Sequence, residues 1–408
     1  MEIRLENCES GRGPLLSRHN PERLMRWFGR KAGRVAARPL LMRGWAAPAG
    51  GDVPRSYEAQ VREAYLGNPV AQRAVRLVAE GVAGASVYLE GPGPPPPSAS
   101  RTVPLPVPGR IVPPQLLETI AAQLLLHGNA FVQILCDADG VPAELFALRP
   151  ERVTVEPGAG GWPAAYLYKA GETKTRLPAR DGIGRPSLVH LKGMHPLDDH
   201  YGLGCLGAAA GAVAIHNAAT RWNKALLDNA ARPSGALVCA GEDGEALSRE
   251  QYERLQAELE TFMGSGNAGR PMLLEGGMRW QAMSLTPADM DFVGLKAAAA
   301  REIALAFGVP PMLLGLPGDA TYANYREANR ALWRLTILPL AEKILGGISE
   351  ALAAWWPGVR LRVDVDQVTA LAEDRERLWA QVSGAEFLTA EEKREMLGFS
   401  PSPLAGEG

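Results

Sequence analysis

From about Tyr57 to Gly81 apolar residues recur at the spacing of a helix, at Val61, Tyr65, Val75, Val78 and, just beyond, Val82. That periodicity predicts a helix with one buried face. The period then shortens to two. Ala130 to Cys136 alternates into the turn Asp137 to Gly140, and a second alternating run, Ala143 to Leu148, predicts a hairpin. Val153 to Val155, Ala165 to Tyr168 and Leu188 to Leu191 extend this strand-rich part, and Gly204 to Ala231 is an Ala-rich helix ended by Arg232, Pro233, Ser234 and Gly235. Helical spacing dominates afterwards. Ser248 to Met263 opens with Ser248 and has Gln251 three residues later, as in a capping box; Ala288 to Phe307 follows, then Tyr322 to Trp356 with an interruption at Pro339. A strand at Val359 to Val365 and helices at Thr369 to Ser383 and Thr389 to Leu397 close the pattern. The expected fold class is α+β, with strands early, helices late and no internal repeat.

Composition narrows this little: 408 residues, 46% hydrophobic and 22% charged, describe an ordinary globular chain with ample length for a core. The net charge of −2 argues against coating nucleic acid through bulk positive charge, since that binding rests on many Lys and Arg contacts to phosphate. Charge is uneven, however. Between Arg12 and Arg43 nine basic residues face one acid, Glu22. This arm is either a solvated tail or a segment held against DNA, a capsid interior or an acidic partner. The stretch Gly91 to Pro97, followed by Ser98 to Pro108, reads as an extended surface loop, because proline fixes its φ and has no N–H to donate.

Cys8, Cys136, Cys205 and Cys239 are scattered without a CxxC pair, which points to free thiols in a reducing compartment. The most apolar run, Leu203 to Ile215, is too short for the ~20 residues a membrane helix needs, and no apolar signal core opens the chain; the expectation is a cytoplasmic protein with no membrane span.

Enzyme signatures are weak. Gly202, Gly204 and Gly207 form a formal GxGxxG before an Ala-rich helix, yet the strand ends near Lys192 and the intervening segment is too long for the tight turn a dinucleotide needs. His190, His195 and His200 with Asp198 and Asp199 do not match any zinc spacing. With no GxSxG, GxxxxGK or HExxH, the chain is expected to be no enzyme and to hold no metal and no cofactor.

The helices at Ser248 to Met263 and Ala288 to Phe307 bracket GRPMLLEGGMRWQAMSL, which reads as two strands joined across Gly276 and Gly277. Acids crowd the first helix region (Glu242, Asp243, Glu245, Glu250, Glu253, Glu258, Glu260). They form either a plain solvated face or, repeated around a symmetric ring, a negative belt. On the second helix Asp289 and Lys296 share one face, while Phe292, Leu295, Ala299, Ile303 and Ala306 make a separate apolar stripe.

The run AFGVPPMLLGLPGDATYANYREANRALW (Ala304 to Trp333) resembles the segment that closes the channel helix and opens the next long helix in portal proteins of tailed bacteriophages. NPVAQRAVRLVAEGVAG from Asn68, LLLHGNAFVQILCDADGVPAELFALRPERVTV from Leu124 and WNKALLDNAARPSGAL from Trp222 are similar to that family in the same order, so the resemblance covers roughly residues 55 to 400. One departure is YGLGCL, where the family carries a YGxSP-like turn.

The resemblance implies a portal fold with an α/β wing, a helical stem, a small β-hairpin clip and a short helical crown. It divides the chain into a basic arm (1–54), wing (55–247), stem helices (248–263 and 288–309), clip (264–287), tunnel loop (310–325), a wing helix and strand (326–368) and crown with tail (369–408). It further implies a dodecameric ring at one capsid vertex of a phage, prophage or gene transfer agent particle, surrounded by the major capsid protein. The ring would pass double-stranded DNA without reading its sequence and dock the terminase large subunit and the head–tail adaptor. Asp289 and Lys296 would line the channel; Asp319, Thr321, Tyr322 and Asn324 would form the tunnel loop; Arg270, Glu275, Arg279 and Trp280 would make the docking surface. A non-ring capsid or baseplate component, and an enzyme using the GLGCLG helix, are the rival readings.

Overall fold

A computed structural model describes residues 56–91, 112–228, 235–239, 248–262, 278–282, 291–316 and 321–397 of the chain. The first helical stretch is broken where the apolar period alone is not. Helix α1 (Tyr57–Val61) runs into a π-helical turn (Arg62–Leu66) and stops at Gly67, and α2 (Pro69–Ala83) starts afresh. Asn68 sets the break: its Oδ1 accepts the N–H groups of Val70 and Ala71, and Pro69 needs no N–H partner at the first helical position. Strand β1 (Val87–Glu90) follows. Helix α3 (Pro114–His127), which the apolar spacing leaves unassigned, ends at Gly128 in the left-handed region, with φ of 80°.

The expected hairpin is present as β2 (Asn129–Cys136) and β3 (Pro142–Leu148), with β7 (Leu188–Lys192) on the other side of β2, giving an antiparallel sheet ordered β3-β2-β7. A second antiparallel sheet, β4 (Val153–Pro157), β5 (Pro163–Ala170) and β6 (Thr173–Pro178), packs its inner face on the first through Phe131, Leu148, Val153, Tyr166 and Leu188. Strand β6 escapes the sequence pattern because it is exposed along almost its whole length and so has no apolar alternation.

Then come α4 (Leu206–Asp228), β8 (Gly235–Cys239), α5 (Arg249–Phe262), β9 (Met278–Ala282), α6 (Phe292–Ala306) and α7 (Tyr322–Leu332). Ser248 and Gln251 make the anticipated capping box at the start of α5, each side chain accepting the other's backbone N–H. A π-helical turn (Trp333–Ile337) joins α7 to α8 (Leu338–Leu352), so the interruption lies just before Pro339, which occupies the first turn of α8. That turn drives Ile337 against Gly81 of α2, where an added Cβ would lie 2.5 Å from Ile337 Cδ1. Strand β10 (Arg360–Val363) pairs antiparallel with β1, and α9 (Ala372–Gly384) and α10 (Ala390–Met396) complete the described chain.

The main core lies where α2, α3 and α8 meet the β2 sheet, with Ile120, Ile344 and Ile348 fully buried. The result is the mixed α and β architecture expected, with the sheets early and the helices late.

Candidate functional site

Helix α4 is the longest element, and it is fastened at its start by a junction of bare backbone. Gly128, Gly193, Gly202 and Gly204 approach so closely that a Cβ on Gly128 would lie 2.3 Å from Gly204 N, and one on Gly202 would lie 2.1 Å from Gly128 O. Hydrogen bonds fill the junction: Gly193 N–H donates to Gly128 O (2.7 Å), Cys205 N–H to Leu125 O (2.8 Å) and Gly202 N–H to Asn129 Oδ1 (2.7 Å). The first two glycines of the formal GxGxxG, Gly202 and Gly204, are thus spent on packing the entry to α4 onto the end of α3, while Gly207 faces open space. The place a phosphate would take is occupied by Gly128 and Asn129.

Asn129 is the hub of this junction. Its amide Nδ2 donates to Gly202 O (3.1 Å) and its Oδ1 also lies 3.0 Å from His190 Nε2, which donates as the neutral imidazole. His190 stacks on Phe131 at 4.2 Å, and burial, reinforced by the like charge of Lys192, pushes its pKa down to about 3. Asp198 Oδ1 accepts the N–H groups of His200 and Tyr201, which makes it a turn former. Among the described residues no group of His, Cys, Asp or Glu could hold a metal ion, and no helix is long and apolar enough to cross a membrane.

A second clamp holds the middle of α4. Buried Asn68 donates through Nδ2 to Asn217 Oδ1 (2.9 Å) and contacts His216 Nδ1 (3.1 Å), while Asn217 Nδ2 donates to Glu63 O (2.9 Å). One asparagine therefore caps α2 and fixes α4 against it.

Helix α6 lies along α4, and the two run antiparallel. At the end where α4 finishes and α6 begins, Trp222 and Phe292 stack at 5.9 Å. Lys296, one turn further along, is half-buried and near enough to His216 to add to the burial that lowers that imidazole's pKa. Asp291 starts α6 from the left-handed region, with φ of 39°, and its carboxylate accepts the Gly294 N–H.

The resemblance implies that 248–263 and 288–309 pair as stem helices; in the structure the helix lying along α6 is α4. Acidic α5 is exposed from Arg249 to Ala257 apart from half-buried Leu255, and it sits in the excursion between the end of α4 and the start of α6. Of the two strands expected across Gly276 and Gly277, the first lies outside the described residues. The second of them is β9, and its partner is β8, in the register Leu237 with Trp280 and Val238 with Arg279. Pairing to a distant strand leaves no trace in local alternation.

Arg270, Glu275, Asp289 and Asp319 lie outside the described residues, and Arg279 and Trp280 are placed on β9. Thr321 caps α7 by accepting the Asn324 N–H, so Tyr322 and Asn324 stand on the first turn of a helix instead of in the preceding loop. All three are exposed, Tyr322 by 79%. Leu295, expected within the packed stripe, is 43% exposed, whereas Ala299 and Ile303 of that stripe are buried. Among the expected residues that are described, Thr321, Tyr322 and Asn324 adjoin one another at the start of α7, Arg279 and Trp280 adjoin on β9, and Lys296 stands on α6.

The model of the phage portal protein family matches residues 69–398. This chain belongs to that family. The portal chain is similar to one from the neck of a native gene transfer agent particle determined with C12 symmetry, at 46% identity and TM-score 0.63, covering 86% of this chain and 95% of that one. A protein of Rickettsia felis is 47% identical over 290 residues, 70% of this portal and 73% of the relative. The probable portal protein of Streptomyces phage phiC31 is 25% identical over 260 residues, 60% of this chain and 53% of the phage protein.

Sequence reasoning on the portal missed the role of α4. A signal was present: Leu206, Ala209, Val213, His216 and Ala219 recur at i+3 and i+4 spacing with no Lys, Arg, Asp or Glu among them, and all are buried. A charge-free stripe distinguishes a packing helix from the acidic, exposed α5.

Proposed function

We propose that this portal chain forms a closed dodecameric ring at one capsid vertex, with double-stranded DNA passing along the ring axis during packaging and delivery. The observation that carries this reading is the 46% identity, over 86% of the chain, to a protein from a neck determined with C12 symmetry. The same likeness favours a gene transfer agent or a related prophage particle. In this reading the portal is a component of the particle, the terminase large subunit supplies the motor, and no residue of the portal is catalytic.

The stem of each subunit is the α4–α6 hairpin, and the clip is the excursion holding β8, α5 and β9. Residues 229–291, including Arg270, Glu275, Arg279 and Trp280, then make the surface for terminase and head–tail adaptor. Aromatic and arginine side chains suit interface anchors. An acidic α5 repeated around the ring would repel duplex phosphates, which lets DNA slide. Asp289 fits a lumen position. The half-buried setting of Lys296 near His216 favours a place between α4 and α6 instead.

Segment 310–325 is the tunnel loop. Asp319, Thr321, Tyr322 and Asn324 include no Lys or Arg, so the loop can brush the duplex without the bidentate base contacts that specify sequence. The wing faces the major capsid protein.

Native mass spectrometry of the full chain tests the assembly. The expected species is a twelve-subunit ring, and a monodisperse monomer or dimer at micromolar concentration and moderate salt would overturn it. Replacing Arg279 and Trp280 by Ala should leave the ring intact and yield empty heads or tailless particles. Normal packaging and tailing in that variant would remove the clip assignment.

A further inference from the structure

Along α4, the residues Gly207, Ala208, Gly211, Ile215, Ala218 and Trp222 form one exposed stripe. Among the described residues nothing accounts for its glycines: a Cβ added to Gly207 or Gly211 would meet no heavy atom within 4 Å. Inside a helix each glycine is destabilising relative to alanine. Exposed, spaced four apart and followed by Ile215 (44% exposed), they suit a surface on which another helix lies close.

The stripe borders a groove of about 380 Å³ between α4 and the π-helical turn, lined by Ala64, Leu206, Val213, Ile215 and Ala218. Its rim carries Arg221, whose guanidinium stands 3.9 Å from Glu63. Helix α6 has an outward stripe of its own: Asp291, Leu295, Ala298, Glu302 and Leu305 fall within one face and all are exposed, Leu305 by 79%. The first surface is small and apolar with the Arg221–Glu63 pair on its rim; the second is apolar with two acids. They are complementary and lie on different helices of one hairpin, which is the arrangement a head-to-tail ring contact requires.

We infer that neighbouring copies of this portal pack by laying the outer stripe of α6 from one subunit onto the Gly207–Trp222 stripe and groove of α4 in the next. The occupant of the groove is a second copy of this chain. The inference rests on the ring reading and deepens it by naming the contact. Leu295 and Leu305 fill the groove and cover Ile215, and Asp291 or Glu302 meets Arg221. The two glycines set how close the helices come.

The test is Gly211→Leu in the full chain, measured beside the unaltered protein. With open space around residue 211, the variant should melt at the same temperature or higher, since leucine is the better helix former. Its assembled fraction at micromolar protein should fall about tenfold or more, because the side chain projects into every contact. A variant that assembles as well as the unaltered chain would overturn the inference and leave the ring standing. An unaltered chain that stays monomeric would overturn the ring reading itself. A photo-crosslinking residue at position 215 in assembled unaltered-sequence rings supplies the second measurement: the label should land on residues 291–305 of another subunit. Attachment to any other element, or only within the same subunit, would refute the proposed contact even if Gly211→Leu failed to fold.

Discussion

At the scale of single residues, the portal relies on buried polar groups that each do two jobs. Asn68 caps α2 and also bridges to Asn217 and His216, with 1% of its surface exposed. Asn68→Ala removes the cap and strands Asn217 and His216, so roughly 2–4 kcal/mol of stability should be lost, measured as a shift in urea midpoint at constant slope. His190 makes a prediction with a sign. Its folded pKa is depressed to about 3 from an ordinary 6.5, so the native state holds it neutral while the unfolded chain protonates it. The stability it contributes is therefore full above pH 6.5 and declines as pH falls from 6.5 toward 3, by up to ~1.4 kcal/mol per pH unit. His190→Gln keeps an N–H donor for Asn129 and cannot titrate. Between pH 6.5 and 5, the dependence of its unfolding free energy on pH should be shallower than that of the unaltered chain by about one proton; equal slopes would show that His190 is not the group responsible. His127 and His216, lowered by burial in the same direction, leave a residual slope in both proteins.

At the scale of elements, helix α7 is held to α9 by charge. The Arg330 side chain, 8% exposed, lies 2.7 Å from Glu327, 2.7 Å from Glu373 and 3.5 Å from Asp374, and Arg326 also pairs with Glu373. Because α7 starts directly after the tunnel loop, this network anchors the loop's far end to the C-terminal helices. Arg330→Ala leaves three neighbouring carboxylates without their buried cation, and roughly 3 kcal/mol should be lost once the partial exposure of those carboxylates is allowed for. Proteolysis in the linker 316–321 should accelerate in that variant, and an unchanged cleavage rate would mean that α9 does not hold the loop. Elements with one buried face were legible in the sequence, as the β2–β3 hairpin and α4 were; exposed α5 was legible instead from its capping residues Ser248 and Gln251, and the start of α10 was placed at Thr389. What eluded it has physical reasons. Strand β6 has no buried face to alternate, the break at Gly67 interrupts a helix whose apolar period continues past it, and the β8–β9 pairing is set by tertiary contact. The choice of α4 over α5 as partner of α6 was readable in principle. Acidic residues around α5 resemble a channel wall as readily as a solvated face, whereas the uncharged face of α4 carrying Leu206, Ala209, Val213 and Ala219 is buried and marks the helix that packs.

At the scale of the whole molecule, a subunit of net charge −2 has to surround a polyanion without trapping it, so its few contacts with DNA must be weak and interchangeable. In the proposed reading the tunnel loop, 310–325, answers that requirement through its composition. It ends on exposed Thr321, Tyr322 and Asn324 and has no Lys or Arg. Thr321 belongs to the helix as its cap, so the deletion that isolates the loop is Pro317 to Ala320, which spares the bond from Asn324 N–H to Thr321. Rings of that variant should keep their subunit number in native mass spectrometry, since the α4 and α6 surfaces are untouched. Particles made with them should hold less DNA, and the deficit should be equal for templates of different base composition, because no group in the loop can distinguish base edges. Full heads would mean that the loop does not reach the duplex. A deficit that followed the template's sequence would mean that the portal reads bases, and a lumen governed by sliding would no longer describe it.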